Sequence, residues 1–259
     1  MVQERSAEDN ILTRLDEISS RLATTQRFDS GWGVRLRLAT MEGAAEAAAY
    51  QFLDRSLSPQ RFMPSVGGWS IQYQVIASVV DYVLHSGIED PLIVELGSGV
   101  STSWLGLTLK KLGRGRLISV EHDPKFAKIT QRSISRFELS DFVEIALVDL
   151  QVCKEPYNDF TWYAPEPIIE RFGINQKIDL LLVDGPPGNA GPKSRYPAFP
   201  MMQVYLSTNS MIVLDDTDRK HEQDICIEWI AECSEHTPER KLEIVETIGR
   251  CTWMEYSQS

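Results

Sequence analysis

The stretch Val94-Glu95-Leu96-Gly97-Ser98-Gly99-Val100-Ser101-Thr102 constrains this chain more than any other. An apolar strand over Pro91–Leu96 runs into a glycine turn, and a helix starts at once. Glycines at such a turn let backbone N–H groups come close to a ligand and point at it from a helix N-terminus. The arrangement suits the polar end of a nucleoside cofactor. A dinucleotide fingerprint requires G-x-G-x-x-G. Here Thr102 stands where the third glycine belongs, so an NAD-dependent oxidoreductase is the weakest of the readings. An acid, Glu95, lies two residues before the first glycine.

The pattern around the turn alternates strand and helix. Ser70 can cap a helix with Ile76, Val79, Val80 and Val83 on its inner face, ended by Gly87. After the strand Pro91–Leu96, a helix runs from about Ser101 to Leu112 and stops at Gly113. Further strands are expected at Arg116–Glu121, Phe142–Val148, Ile178–Val183 and Met211–Leu214. Asp123-Pro124 caps and opens the helix after the second strand, and a last helix spans about Asp218–Cys233. Leu242–Thr247 and Cys251–Tyr256 read as a terminal hairpin around Gly249. Continuous apolar strands separated by helices imply a parallel sheet covered on both faces. Right-handed crossovers then bring the ligand-bearing loops to the carboxyl ends of the strands.

The length of 259 residues suits one large α/β domain, over 64–259, with a helical extension over 1–63. In that extension Ile11, Leu15, Ile18 and Leu22 form a seam of about two heptads, which serves either self-association as a homodimer or packing on the chain's own domain. A second helix is expected from Val34 to Leu57. The net charge of −11 argues against a nucleic-acid partner and against a polybasic membrane contact. The polar start shows no secretory signal, and Cys153, Cys226, Cys233 and Cys251 lack paired metal spacing. Buried thiols in a cytoplasmic protein are the expectation.

Acids close the expected strands. Glu121 ends the second, where a carboxylate can accept both ribose hydroxyls; His122 follows it, at the cofactor rim or simply exposed. Asp149 ends the third, placed either for an adenine amino group or as a helix cap. Asp184 ends the fourth, and Asp215-Asp216 end the fifth. If the last two strands are neighbours, three carboxylates meet, and they repel one another unless a cation neutralises them. Oxygen-only ligation suits Mg²⁺, Mn²⁺ or Ca²⁺, with Mg²⁺ the usual candidate. The plainer alternative is that Asp216 caps the following helix.

Acid-x-Gly-x-Gly resembles the first motif of class I S-adenosylmethionine (SAM) methyltransferases. The segments Gly67-Gly68-Trp69-Ser70, Glu95–Thr102, Val183–Gly188, Arg195-Tyr196-Pro197 and Leu214-Asp215-Asp216-x-x-Arg219 resemble one bacterial branch of that family. The resemblance covers about Pro64 to Tyr256 and implies a Rossmann-like, mostly parallel seven-stranded sheet with a C-terminal antiparallel hairpin. It implies that Gly97, Ser98, Gly99, Ser101, Thr102 and Ser103 hold the amino-acid end of SAM, with Glu95 and Asp184 also facing the cofactor and Trp69 and Ser70 covering it. Trp69 can equally be core.

The acid cluster resembles that of catechol and macrolide-sugar O-methyltransferases, in which a divalent ion held by residues placed like Asp184, Asp215 and Asp216 activates the acceptor hydroxyl. Those enzymes carry a lysine three residues after the fourth-strand acid, and Pro187 stands there. The base is then Asp184, Lys193 or His221, with Asp184 and His221 favoured. Arg195 and Tyr196 lie in the long Gly185–Pro200 loop, a length often found in lids. Arg195 either clamps an anionic acceptor or pairs with one of the aspartates. The expected activity is SAM-dependent O-methylation of a sugar, glycan or small hydroxylated metabolite, metal-assisted. An N-methyltransferase, a metal-free O-methyltransferase and a non-catalytic SAM-binding module remain as alternatives.

Overall fold

The computed structural model describes residues 39–64, 67 and 70–259. The Ile11–Leu22 seam and Trp69 lie outside the described residues. A helix over 39–57, α1, includes the start of a compact unit that runs from Ala49 to Ser259. The following helices are α2 (Tyr73–His85), α3 (Val100–Leu112), α4 (Pro124–Phe137), α5 (Pro165–Ile169), α6 (Ala198–Met202) and α7 (Lys220–His236). The strands are β1 (Leu92–Leu96), β2 (Arg116–Glu121), β3 (Val143–Leu147), β4 (Leu150–Val152), β5 (Thr161–Tyr163), β6 (Ile178–Val183), β7 (Leu206–Leu214), β8 (Arg240–Ile248) and β9 (Cys251–Gln258). Among the described residues no helix is long and apolar enough to cross a membrane.

Seven strands form one sheet in the order β3-β2-β1-β6-β7-β9-β8. The first five in that order are mutually parallel, and β9 runs against both β7 and β8. The expected mostly parallel sheet with a terminal hairpin is therefore present. The reversed strand is not the margin, however: the tight turn at Gly249 folds β9 back between β7 and β8. Two further differences are local. β4 and β5 form a small antiparallel pair apart from the main sheet, and their three-residue strands carry too little alternation to be read. β7 begins five residues earlier than expected, through a polar run whose register shifts against β6.

Every residue of β1 is buried, which is why it reads as an unbroken apolar run. Leu92, Val94 and Leu96 face a core that includes Trp162, Phe199 and Trp229. Ile93 faces the opposite core, with Val80 of α2, Trp104 of α3 and Ile134 of α4. The two faces of the sheet are thus both closed by helices. Ser70 does not cap α2: Gln72 takes the N-cap position, and the Ser70 hydroxyl instead accepts from the Gly67 N–H at 3.2 Å. The other punctuation holds. The Asp123 side chain accepts from Lys125 N at 2.7 Å with Pro124 at the first helical position, and Gly113 ends α3 in the left-handed region. Cys153, Cys226, Cys233 and Cys251 are free and buried, as expected.

Close packing of α3 depends on Gly106. A Cβ there would lie 2.7 Å from Val143 Cγ2 and 2.8 Å from Leu139 Cδ1. Gly106→Val is expected to lower stability by about 1–3 kcal/mol, the usual cost of overpacking. Urea denaturation followed by circular dichroism measures it, and an unchanged midpoint would mean that α3 does not approach β3 this closely.

Candidate active site

The sheet ladder continues one residue beyond the strands and fixes the loops at their carboxyl ends. Gly97 N donates to Val120 O at 2.9 Å, Asp184 N to Leu96 O at 2.9 Å, and Asp215 N to Val183 O at 3.0 Å. Gly97, Glu121, Asp184 and Asp215 therefore emerge on one edge, where β1 separates β2 from β6. This is the switch point at which doubly wound sheets bind ligands. Gly97 has φ +100°, and a Cβ on it would lie 3.2 Å from the backbone of Asp184. A Cβ on Gly185 would lie 2.3 Å from the Tyr163 hydroxyl. Both glycines are needed for the β1 and β6 loops to come together.

Glu95 points away from the ligand side. Its carboxylate accepts from the hydroxyls of Ser101, Thr102 and Ser119, and it is fully buried. Burial raises its pKa, against those three hydrogen bonds. Thr102 Oγ1 also accepts from Gly99 N at 2.9 Å. Glu95 and Thr102 thus brace the turn from behind and leave the N-terminus of α3 facing outward. Ser103 is buried too, its hydroxyl without a partner.

Glu121 occupies the front. One oxygen accepts from His122 N (2.8 Å) and Asp123 N (2.9 Å), the other from Ser98 N (3.2 Å) and Ser98 Oγ (2.9 Å). These contacts hold the β1 and β2 loops against each other.

Asp184, Asp215 and Asp216 do converge: one oxygen from each lies within 4.8 Å of the others. Arg195 reaches into the group and is 4% exposed. Its Nη2 lies 3.3 Å from Asp184 Oδ1 and 2.9 Å from Asp216 Oδ2, and its Nη1 donates to Asp215 O at 2.8 Å. Arg219 contacts Asp216 Oδ2 at 2.9 Å, and Arg250 approaches Asp216 Oδ1 at 3.7 Å. The Cys251 thiol donates to Asp215 Oδ1 at 2.9 Å. Burial first, and then the charge of Asp215, push the Asp184 carboxyl well above the ordinary range, against the pull of Arg195. Burial disfavours the charged form of Arg195, but Asp184 and Asp216 more than offset it and keep the guanidinium protonated.

These elements open on one cavity of about 320 Å³, within the range of small-molecule sites. Its lining includes Gly97, Ser98, Gly99 and Ser101 of the turn, Glu121 and His122, and Ser70 at the mouth. Asp184, Asp215, Asp216 and Arg195 line the same cavity. Several expected site residues lie elsewhere. Asp149 and His221 are exposed, beyond β3 and on the first turn of α7. Lys193 pairs with Glu228. Tyr196 donates its hydroxyl to Glu232 and stacks on Phe160 at 4.9 Å. The Gly185–Pro200 loop is only partly lid-like: Ser194, Arg195, Ala198 and Phe199 are buried in it.

Sequence reasoning passed over other lining residues. Phe126 and Ile129 project from α4 into the cavity, each about half exposed. The signal available was two apolar residues off the core face of an amphipathic helix. Tyr163 on β5 also lines it, buried, with no hydrogen-bond partner for its hydroxyl. Burial first, then Glu121 and Asp184, hold that hydroxyl well above the usual tyrosine pKa.

Comparison with known proteins matches residues 94–217 to a family model described as a methyltransferase domain. A 55-residue stretch is 46% identical to a catechol O-methyltransferase of Niastella koreensis, and covers 20% of this chain and 24% of that protein. Two solved structures share the fold: an O-methyltransferase from Bacillus cereus in complex with S-adenosylhomocysteine (SAH), and TomG from Streptomyces achromogenes, an O-methyltransferase of tomaymycin synthesis, in complex with SAM. Their TM-scores are both 0.53, at 17% and 15% identity, over 83% of this chain and 91% and 89% of theirs. Strand order and glycine turn agree with that match: residues 94–217 are similar to a methyltransferase domain.

Proposed function

We propose that this protein is a SAM-dependent O-methyltransferase whose acceptor is a hydroxyl of a sugar, glycan or small hydroxylated metabolite. One observation carries the reading: the glycine turn, Glu121 and Asp184 open on a single cavity. The residues suit the cofactor. A Cβ on Gly99 would meet nothing within 4 Å, so the turn offers a free cradle beside the N-terminus of α3. SAM held there would supply an electrophilic methyl group.

The chain's own residues would do the rest. Backbone N–H groups at the start of α3 would bind the cofactor's carboxylate. Glu121 would accept the ribose hydroxyls, which replace Ser98 on one of its oxygens. His122, Phe126 and Ile129 would form the wall around the base. Asp184 would take the acceptor's proton as its oxygen attacks the methyl carbon. Burial holds this carboxyl above the ordinary range, which makes it a stronger base than an exposed carboxylate. His221 does not line the cavity and Asp184 does, so Asp184 is the base in this reading. Alignment of oxygen, carbon and sulfur would supply much of the acceleration. The Mg²⁺ of catechol-type enzymes does not fit this donor set, because Arg195 already stands among the carboxylates.

A thermal-shift comparison tests the cofactor: SAH should raise the melting temperature and NADH should not. The reverse pattern would discard the reading. Glu121→Gln should weaken SAH at least tenfold, about 1.4 kcal/mol or more, by calorimetry, with the ligand-free melting temperature checked alongside; unchanged affinity would remove Glu121 from the ribose role. Asp184→Asn should stop SAH release with any acceptor the wild type turns over, while SAH affinity stays within about threefold. Full activity in that variant would mean that the base lies elsewhere.

A further inference from the structure

Three aspartates at the carboxyl edge of a methyltransferase sheet look like a divalent-ion site. Their hydrogen bonding does not. Nη2 of Arg195 contacts Asp184 and Asp216 at once, 3.3 and 2.9 Å away. It stands where an ion would have to sit to reach both carboxylates. Mg²⁺ binds oxygen at about 2.0–2.1 Å and demands near-octahedral geometry; these are N–H···O separations with a nitrogen in the middle. Both oxygens of Asp216 and one of Asp215 are committed elsewhere. Asp216 Oδ2 takes Arg219 as well as Arg195, and its Oδ1 faces Arg250. Asp215 Oδ1 accepts the Cys251 thiol. Three guanidinium groups thereby balance the cluster, Arg195 on Asp184 and Asp216, and Arg219 and Arg250 on Asp216 alone. A dication added to that balance would press against Arg195 at contact distance, in a site where Arg195 and Asp216 are 4% and 5% exposed.

We infer that Arg195 takes the place of the catalytic metal: its guanidinium is the built-in cation that holds Asp184 and Asp216 together at the reaction centre, and this enzyme works without a divalent ion. Arg195 is a positioning residue in this account. It acts through Asp184, which faces the acceptor, and its planar fork supplies fixed geometry that a mobile ammonium would not. The inference rests on the methyltransferase reading for its consequence, but its test does not need an acceptor.

The probes are Mg²⁺ and Mn²⁺ alone, titrated into the full chain by calorimetry and by the loss of free-Mn²⁺ paramagnetic resonance signal, with and without SAH. Wild type should bind neither ion stoichiometrically up to about 1 mM, and its melting temperature should be the same in Mg²⁺ and in EDTA. Arg195→Ala uncovers the three carboxylates and should gain one Mn²⁺ per chain, at least about tenfold tighter than wild type. Asp184→Asn added to that variant should abolish the gain. A merely structural arginine would leave metal affinity unmoved when removed.

One Mg²⁺ bound to wild type and lost on Asp215→Asn would overturn the inference, as would a folded Arg195→Ala that gains no ion. Should Arg195→Ala fail to fold, the wild-type titration decides alone. SAH binding to wild type reports separately on the cofactor site, so failure of the methyltransferase reading and failure of this inference give different results.

Discussion

The pairing of β1 with β2 on one side and β6 on the other is the constraint from which the site follows. Leu96 stands opposite both Val120 and Val183, so the residues just beyond each must emerge together. The chain leaves β1 by a helix on one face, while β6 and β7 are reached by connections that return on the other. That divergence leaves a crevice, and the glycines at 97 and 185 let its walls meet at their base. A single side chain on Gly185 would collide with the Tyr163 hydroxyl, so local backbone chemistry and long-range topology agree on where a ligand can enter.

Into this crevice the fold places more buried charge than a hydrophobic core tolerates without compensation. Glu95 is satisfied by three hydroxyls, Glu121 by two loop N–H groups and by Ser98, Asp184 and Asp216 by arginines, and Asp215 by the Cys251 thiol. Each solution costs sequence elsewhere: hydroxyl residues at 101, 102 and 119, and an arginine delivered by a long loop. Removing one member of a buried pair of this kind typically costs about 3–5 kcal/mol, because the other charge is stranded. The loop from Gly185 to Pro200 is therefore held down by its charge as well as by Phe199, which explains why so long a connection is packed rather than loose.

Much of this was legible in the sequence. The buried strands announce themselves through unbroken apolar runs, and the acids that end them fall on one edge once the sheet is parallel. What the sequence could not carry was the direction of individual side chains and the choice among partners. Glu95 reads as a ligand-facing acid but turns inward, because strand alternation and three nearby hydroxyls decide its side. Arg195 had two readings, and distance in sequence could not choose between them; only the return of its loop over β6 and β7 does. Asp149, His221 and Tyr196 sit at plausible positions along the chain, yet none of them lines the cavity, and Tyr196 is taken up by Glu232. Arg250 joins the cluster from the hairpin turn at Gly249, which the sequence marks without showing what lies against it.

That hairpin links the far end of the chain to the chemistry. Arg250 N donates to Gln72 at the start of α2, Arg250 O accepts from both the N–H and the hydroxyl of Thr217, and Cys251 reaches Asp215. The loop bearing Asp215 and Asp216 is thus clamped by the β8–β9 hairpin. Any opening of that ribbon, however brief, would strip this outer brace from two of the three acids, so how rigidly the centre is held depends on how seldom the ribbon frays.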